Sequence, residues 1–540
     1  VKSASIIPGI AASIGMTMNE TFPLLTLCLG WPLLGALALA FVRHLPTAKG
    51  LALGVAGIEL LLTLLVVKQF NPDYGGFQLL EDYAWIPGLN IHYQVGVDGI
   101  SLWFLPMTAL LTVMALLAGW NTVRHLTRFH LALLLILESV TLAVFTALDL
   151  ALFFLFWELT LPPIFFLIGL WGIGAERRHA AMKYTLYMLF GGVPLLFAII
   201  LLALNHAHLT GGAIPQDLQF SLPILLNTPL GLAEQELIFL LLMLGFAVKA
   251  PLLPFHTWLP SVAMEAPTQI SALLMALKLG VYGFIRFAIP LAPEAAMQHR
   301  WLLAILGAST MIYAGLIALK QTNLRRLLAY AGISHVGLVL VGIVSFTLQG
   351  LQGAVMQLLN FSIVAGSLML IAGMIQQRLG SNELVHLGGL AKPMPRLTVL
   401  FFLFVLSSMG VPLTNGFPAE LLLFIGTLKT YPALSVVVLF AAVVGAGYCL
   451  NFVRRGFFGP ILHAEVAGMQ DVRVREFLLL LVPACLVLLL GMWPQSLLSS
   501  QEATLTVWLR RFHQPVILLT HANQRPMLSN EGLISSWMGR

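Results

Sequence analysis

Runs of about 20 mainly apolar residues, the length needed to cross a bilayer as a helix, follow one another almost from end to end of the chain. Bounded by charges, prolines or glycines, fourteen such segments can be laid out. They lie near residues 23–42, 50–68, 101–119, 130–148, 150–172, 184–204, 236–258, 266–289, 301–319, 327–346, 351–377, 397–426, 433–453 and 477–494. Of the 540 residues, 59% are hydrophobic and only 9% charged, against roughly 25% charged in a soluble globular protein. The expected fold is an all-α integral membrane protein of about fourteen transmembrane helices. The longest breaks, 69–100 and 205–235, are too short and too loop-like for a separate soluble domain. The 501–540 tail holds one amphipathic stretch, "TLTVWLRRFHQPVILL", better suited to the membrane surface or a partner than to a crossing. At the start, Lys2 is the only early charge and the apolar run from Phe22 leads straight into a full-length helix, so no cleavable signal is expected.

The net charge of +6 does not point to nucleic acid, because Lys and Arg lie in short clusters between apolar runs rather than along a basic stripe. Those clusters follow the odd-numbered segments: Arg43 and Lys49; Arg124 and Arg128; Arg177, Arg178 and Lys183; Lys320, Arg325 and Arg326; Arg378, Lys392 and Arg396; Arg454, Arg455, Arg473 and Arg475. Loops after even-numbered segments are nearly free of base and carry Asp73, Glu81, Asp82, Asp98, Asp217 and Glu234. The positive-inside rule then puts both termini on the non-cytoplasmic side. Arg510 and Arg511 disagree mildly, beyond the last segment. Cys28, Cys449 and Cys485 all sit in apolar runs and read as apolar filler rather than a disulfide or metal framework.

Two segments are interrupted by proline in matching places: the seventh at "VKAPLLP" and, five segments later, the twelfth at "GVPLTNGFPAE". Such pairs point to inverted repeats and to a transport site between them. The organisation expected is N-terminal helices 1–3 (residues 1–129), a first inverted five-helix repeat (130–290), a second (291–455), and a last helix with its tail (456–540).

A charge at the bilayer centre costs about 2.5–3.5 kcal/mol on insertion scales, so those retained are functional candidates. They are Glu138 in "LLLILESVTLAVF", Glu158 in "LFFLFWELTLPPIFFL", Lys249 at the break in segment seven, Lys278 in "LLMALKLGVYGF", His335 in "GISHVG", and Glu420 after the break in segment twelve. Burial favours the neutral form of an ionisable group and a nearby opposite charge favours the ionised form. Alternating carboxylates and lysines therefore make a proton relay, in which separating a pair loads or releases a proton. Helix breaks add freed backbone groups and room for water.

Each group also has a plainer reading. Glu158 and Glu138 suit structural ion pairs, Lys249 snorkelling towards an interface, Lys278 the cap of a short helix, and His335 a hydrogen-bonded core histidine. Arg325 and Arg326 suit the positive-inside pattern. The full series is harder to explain as structure. No Walker loop, Rossmann glycine fingerprint, CxxC pair or zinc-type histidine spacing occurs. His125 and His130 flank a loop without matching ligands, so electron transfer is expected on other chains.

The motifs "GVDGISLWF", "LDLALFFLFWELTLPPIFFLIG", "FAVKAPLLPFHTWLP" with "EAPTQIS", and "LRRLLAYAGISHVG", in this order over residues 20–495, resemble the antiporter-like subunits of respiratory complex I, most of all the M, or chain 4, type. The resemblance implies fourteen helices in two inverted repeats and a charged mid-membrane axis that moves protons when quinone is reduced elsewhere. Carried over by motif, the relay is Glu158, Lys249, Lys278, His335 and Glu420. Glu158 with Lys249 is the switchable pair, Lys278 with His335 the centre, and Glu420 the exit or the link onward. Glu138, Lys183, His256, Arg325 and Asn360 are auxiliary candidates. No metal and no cofactor is expected on this chain, with (plasto)quinone and Fe–S clusters on other subunits. Expected partners are antiporter-like neighbours of the L and N type, a small K-type subunit and lipids, with no nucleic acid.

The sequence also departs from the family pattern. The usual stretch before the helix-8 lysine is two residues longer than "QISALLMALK". A second histidine expected after "WLP" is replaced by Ser261-Val262-Ala263. The helix-11 histidine is replaced in "QLLNFSIVAG", leaving Asn360 and Phe361, so proton flow there needs water or Asn360. These departures resemble chain-4 paralogues of cyanobacterial photosynthetic complex I of the CO2-uptake type. That resemblance implies a thylakoid membrane, plastoquinone, reduced ferredoxin as donor and a CO2-hydrating neighbour; otherwise a bacterial inner membrane is implied. A Mrp-type sodium/proton antiporter subunit without redox coupling shares the motifs and is the alternative, and a scaffold that no longer pumps is a third.

Overall fold

Helices dominate the computed structural model, which describes residues 22–461 and 463–513. In chain order they are α1 (Leu24–Phe41), α2 (Leu45–Gln69), α3 (Phe104–Gly119), α4 (Thr127–Thr146), α5 (Leu150–Trp171), α6 (Arg177–Thr210) and α7 (Leu232–Lys249, resumed at Trp258–Glu265). There follow α8 (Thr268–Leu291), α9 (Arg300–Lys320), α10 (Leu324–Ile343) and α11 (Leu348–Leu379). The last are α12 (Pro395–Ser408, resumed at Gly416–Thr430), α13 (Pro432–Gly456), α14 (Val474–Met492) and α15 (Gln495–His513). Eleven helices among the described residues are long and apolar enough to cross a membrane, and α3 and Pro395–Ser408 are shorter apolar helices.

The fold is not wholly helical. Residues 69–100, expected as loop, contain an antiparallel hairpin of β1 (Gln78–Ile86) and β2 (Ile91–Val97). Its aromatic and β-branched residues favour extended chain, and Asn90, at φ 53°, supplies the left-handed turn between the strands. Glu81 on β1 caps α1, accepting from the Leu25 and Thr26 amides at 2.7 and 3.0 Å.

Local signals set several other helix starts. Asp149 accepts from the Leu152 amide at 2.9 Å and Asn323 from the Arg325 amide at 3.0 Å, each satisfying donors that an N-terminus leaves free. The Arg177–Lys183 cluster, expected in a loop, belongs to the first turns of α6. Arg325, expected as a loop charge, is fully buried and donates to the Ala266 carbonyl at 2.6 Å and to Gln376 Oε1 at 3.0 Å.

The core is formed by α8, α10 and α11, buried along nearly their whole apolar length, whereas α13 is the least buried of the long apolar helices. Both proline-marked interruptions are present, at 250–257 and 409–415. A third carries no proline: α8 opens at Leu277–Lys278, between Thr268–Ala276 and Leu279–Gly283, as the reading of Lys278 as the cap of a short helix requires. It sits against the first, since a Cβ on Gly280 would lie 2.2 Å from the Ala250 amide nitrogen. Only a residue without a side chain allows that approach.

Candidate functional site

Pro251 and Pro254 cannot continue α7, so its first half ends at Lys249. Beyond the break, the Trp258 indole reaches back to the Val248 carbonyl at 2.9 Å and fixes the two halves. The Lys249 ammonium turns towards α5, where Thr160 marks a bend ahead of Pro162 and Pro163. It donates to Thr160 Oγ1 at 3.0 Å and to the Trp157 carbonyl at 3.2 Å, and lies 3.9 Å from the Trp157 ring centroid.

Glu158, the next residue along, is not in ion-pair contact with Lys249. The salt bridges among the described residues are His92–Asp82, Arg286–Asp98 and Arg378–Glu476. The Glu158 carboxylate instead rests on α6, where a Cβ on Gly192 would come 2.3 Å from its Oε1, and that oxygen is buried without a partner. The expected pair is thus open here: its cation is held by the bend of α5 and its anion by a glycine notch.

Lys278 lies at the head of the short helix that follows the break in α8, the place a cap would occupy. Its amine is 5.1 Å from the Phe361 ring centroid. The same ring packs against His335, with ring centroids 4.6 Å apart. His335 Nδ1 meets Gln357 Nε2 at 3.2 Å, and the same amide donates to Glu420 Oε1 at 3.3 Å. Lys278, Phe361, His335, Gln357 and Glu420 thus form one line through the core. Gln357 was missed because a neutral amide in an apolar helix carries no charge signal. A cavity of about 410 Å³ opens beside His335 and Glu420, with Ser334, Ser408, Gly410 and Tyr448 on its wall. It is roomy and polar enough for water.

The auxiliary candidates divide. Lys183 donates to the Thr257 carbonyl at 2.9 Å and Ser261 Oγ at 3.2 Å, tying α6 to the second half of α7. His256 is buried in the break with its Nδ1 unpartnered and its ring edge-on to Tyr313 at 5.2 Å. The Asn360 amide donates to the Asn415 carbonyl at 2.5 Å and pins the break in α12, while its Oδ1 is buried without a partner. Arg325 holds α10 to the Ala266 turn, as described above. Glu138 on α4 and Glu59 on α2 are each buried with both carboxylate oxygens unpartnered. Glu59 was also missed, although "GVAGIELLLTLLVV" marks it by the same rule that found Glu138. No group of three or more His, Cys, Asp or Glu among the described residues is placed to hold a metal.

Fold and site together define a multi-pass helical membrane protein that keeps ionisable side chains at helix breaks in its interior. The chain belongs to the NADH:quinone oxidoreductase/Mrp antiporter transmembrane family, whose model matches residues 147–445. It is 33% identical over 488 residues to NADH-quinone oxidoreductase subunit M of Rickettsia typhi, covering 88% of this chain and 97% of that one. Among solved structures it resembles a chain of respiratory complex I from Thermus thermophilus, with TM-score 0.80 and 31% identity over 90% of this chain and 99% of that one. A chain of the Mrp complex from a Dietzia species has TM-score 0.78 over 90% and 97% of the two chains. At 22% identity this second likeness is one of fold.

Proposed function

We propose that the chain is a proton-translocating membrane-arm subunit of a complex I-type quinone oxidoreductase. The observation that carries this is the line of ionisable groups at adjoining helix breaks. Lys249 and Lys278 stand at breaks packed on each other through Gly280 and Ala250, and Gln357 joins His335 to Glu420. In this reading Glu158 and Lys249 alternate between the open arrangement and an ion pair, and Glu420 passes the proton on. Taking each interrupted helix as one crossing gives fourteen crossings, two inverted five-helix repeats, and both termini on the non-cytoplasmic side. The chain holds no redox centre of its own; quinone and Fe–S clusters belong to other subunits. Its neighbours are L- and N-type antiporter-like chains, a small K-type subunit and lipid.

The test is Lys249→Ala in the assembled complex. Proton pumping per electron is expected to fall, and unchanged pumping with normal assembly would overturn the assignment. The similarity to a Mrp chain supports a second reading, a sodium/proton antiporter subunit without redox coupling. Co-purifying subunits distinguish the two: redox subunits favour the first, a set of small antiporter proteins the second. Proton flux in the reconstituted complex separates both from a scaffold that does not pump.

A narrower reading places the chain in a cyanobacterial thylakoid complex, with ferredoxin as donor, plastoquinone as acceptor and a CO2-hydrating neighbour. It rests on the shortened stretch before Lys278 and the departures at Ser261-Val262-Ala263 and Phe361, and a co-purifying CO2-hydrating subunit would establish it.

A further inference from the structure

Helices α1 and α4 are joined where Ser139 Oγ donates to the Leu29 carbonyl at 2.5 Å. About two turns further along α1, towards the basic loops, they part around a cleft of about 530 Å³. That volume lies within the range of about 300–1,000 Å³ found for small-molecule sites. Small side chains make the space: Ala36 and Ala40 on α1, and Ala132 on α4, stand on its walls.

The mouth of the cleft is cationic. Arg124 and Arg128 line it, and no acid among the described residues does. Arg128 donates to the Val42 carbonyl at 3.1 Å, and Arg124 has no partner among the described residues. Neither belongs to a salt bridge there. Each guanidinium carries five N–H donors, so most of the donors at this mouth are free for a ligand. Arg43, next to Val42 in the chain, is exposed and adds a third charge nearby. The first turn of α4 has neither an acid nor a side-chain cap, which leaves the positive end of the helix unopposed at the same place.

Two guanidinium groups at one mouth suit a phosphate, whose oxygens accept their N–H bonds in pairs. The surface behind them decides which phosphate. Ala36, Ala40, Phe129 and Ala132 are apolar, and Leu126, between the two arginines in the chain, is 59% exposed. A soluble anion would leave this surface uncovered, whereas an acyl chain covers it. Leu33, Leu34 and Leu37 are exposed further along α1, so the apolar surface continues as it does on a helix that meets lipid. Basic pockets between membrane helices take anionic lipid headgroups by this combination of charge and burial.

We propose that the cleft between α1 and α4 binds an anionic phospholipid, with its phosphate on Arg124 and Arg128 and an acyl chain along Ala36, Ala40 and Ala132. The site uses none of the groups in the line from Lys249 to Glu420, and stands whether or not the chain pumps protons.

The test places the purified complex in bilayer discs of phosphatidylcholine with a trace of phosphatidylglycerol bearing a photoreactive diazirine on one acyl chain. Labelled peptides are then mapped. Label is expected on residues 36–45 and 126–132, and a phosphatidylcholine probe with the same chain is expected to label them far less. Arg124→Gln and Arg128→Gln should each lower the phosphatidylglycerol label about fivefold, and the double variant about tenfold or more, from the attraction of each basic residue for an anionic surface. Replacing both arginines by lysine, which keeps the charge, should retain most of the label. Undiminished label in the double glutamine variant overturns the proposal. Equal labelling by the two probes in the wild-type complex would show ordinary bilayer lipid and also overturn it, with no variant needed to assemble. Displacement of the label by inorganic phosphate would identify a soluble-anion site instead. Absence of label in the cleft, with label elsewhere on the complex, would show that a neighbouring chain covers it. Either result refutes the lipid.

Discussion

A single rule, that a charge inside an apolar run must have a use, found Glu138, Glu158, Lys249, Lys278, His335 and Glu420 in the sequence, and the structure places all of them in helices or at their breaks. The rule is blind to neutral groups. Gln357 therefore escaped it, while Asn360, named for the histidine gap, also braces the Asn415 loop. Gln357→Leu removes the bridge between His335 and Glu420 and strands both. The loss of a hydrogen bond to a charged group is worth about 1.5–3 kcal/mol, and each 1.4 kcal/mol on a barrier is about tenfold in rate. Proton flux in the reconstituted complex should fall by about tenfold or more, with assembly unchanged; wild-type flux would remove Gln357 from the line. Phe361→His is the converse case. It puts a proton-carrying ring where an apolar ring now packs against both Lys278 and His335, and flux in the same assay should match or exceed wild type.

Helix breaks were most legible where proline wrote them. Pro251, Pro254, Pro412 and Pro418 mark the interruptions of α7 and α12, but the opening of α8 at Lys278 falls in "MALKLG", a string with no proline to break it. Packing supplies the cause: Gly280 is pressed on the Ala250 backbone, and the α8 turn must open to make that approach. Gly280→Ala drives a methyl into backbone that cannot yield as a side chain would. Overpacking of this kind costs about 1–3 kcal/mol, so the complex should lose thermal stability in detergent. An unchanged melting temperature would show that the two breaks do not bear on each other. The hairpin was missed for a different reason: the polar residues of its strands, among them Glu81, Asp82 and Gln94, hid the alternation.

At the scale of the molecule, composition and run length read the membrane class correctly, but not what binds the helices at the hairpin end. That role falls to α15, the amphipathic stretch of the tail, of which residues 514–519 lie outside the described part. The Trp103 indole donates to Ser500 Oγ at 2.9 Å, and the Gly99 amide to Thr504 Oγ1 at 3.0 Å. Trp508 donates to the Ile285 carbonyl at 2.9 Å, and Arg511 to the Leu226 carbonyl at 2.9 Å. The Phe346 ring, beyond α10, stacks on Trp508. One helix thus ties the loops before α3 and α7 to the ends of α8 and α10. Beneath it the buried Arg286 guanidinium grips Asp98 through two bonds, at 2.5 and 2.6 Å, with Tyr282 accepting a third.

Removing one partner of a buried pair leaves an uncompensated charge and costs about 3–5 kcal/mol, whereas removing both is often nearly neutral. Asp98→Asn should therefore lower the yield of assembled complex and its melting temperature sharply. Asp98→Asn combined with Arg286→Gln should recover most of that loss. Deleting the chain from Gln495 onward should destabilise the same end. If the double variant is no better than Asp98→Asn alone, the pair matters for more than its charge balance. The clamp at the hairpin end would then have to be sought in α15 itself.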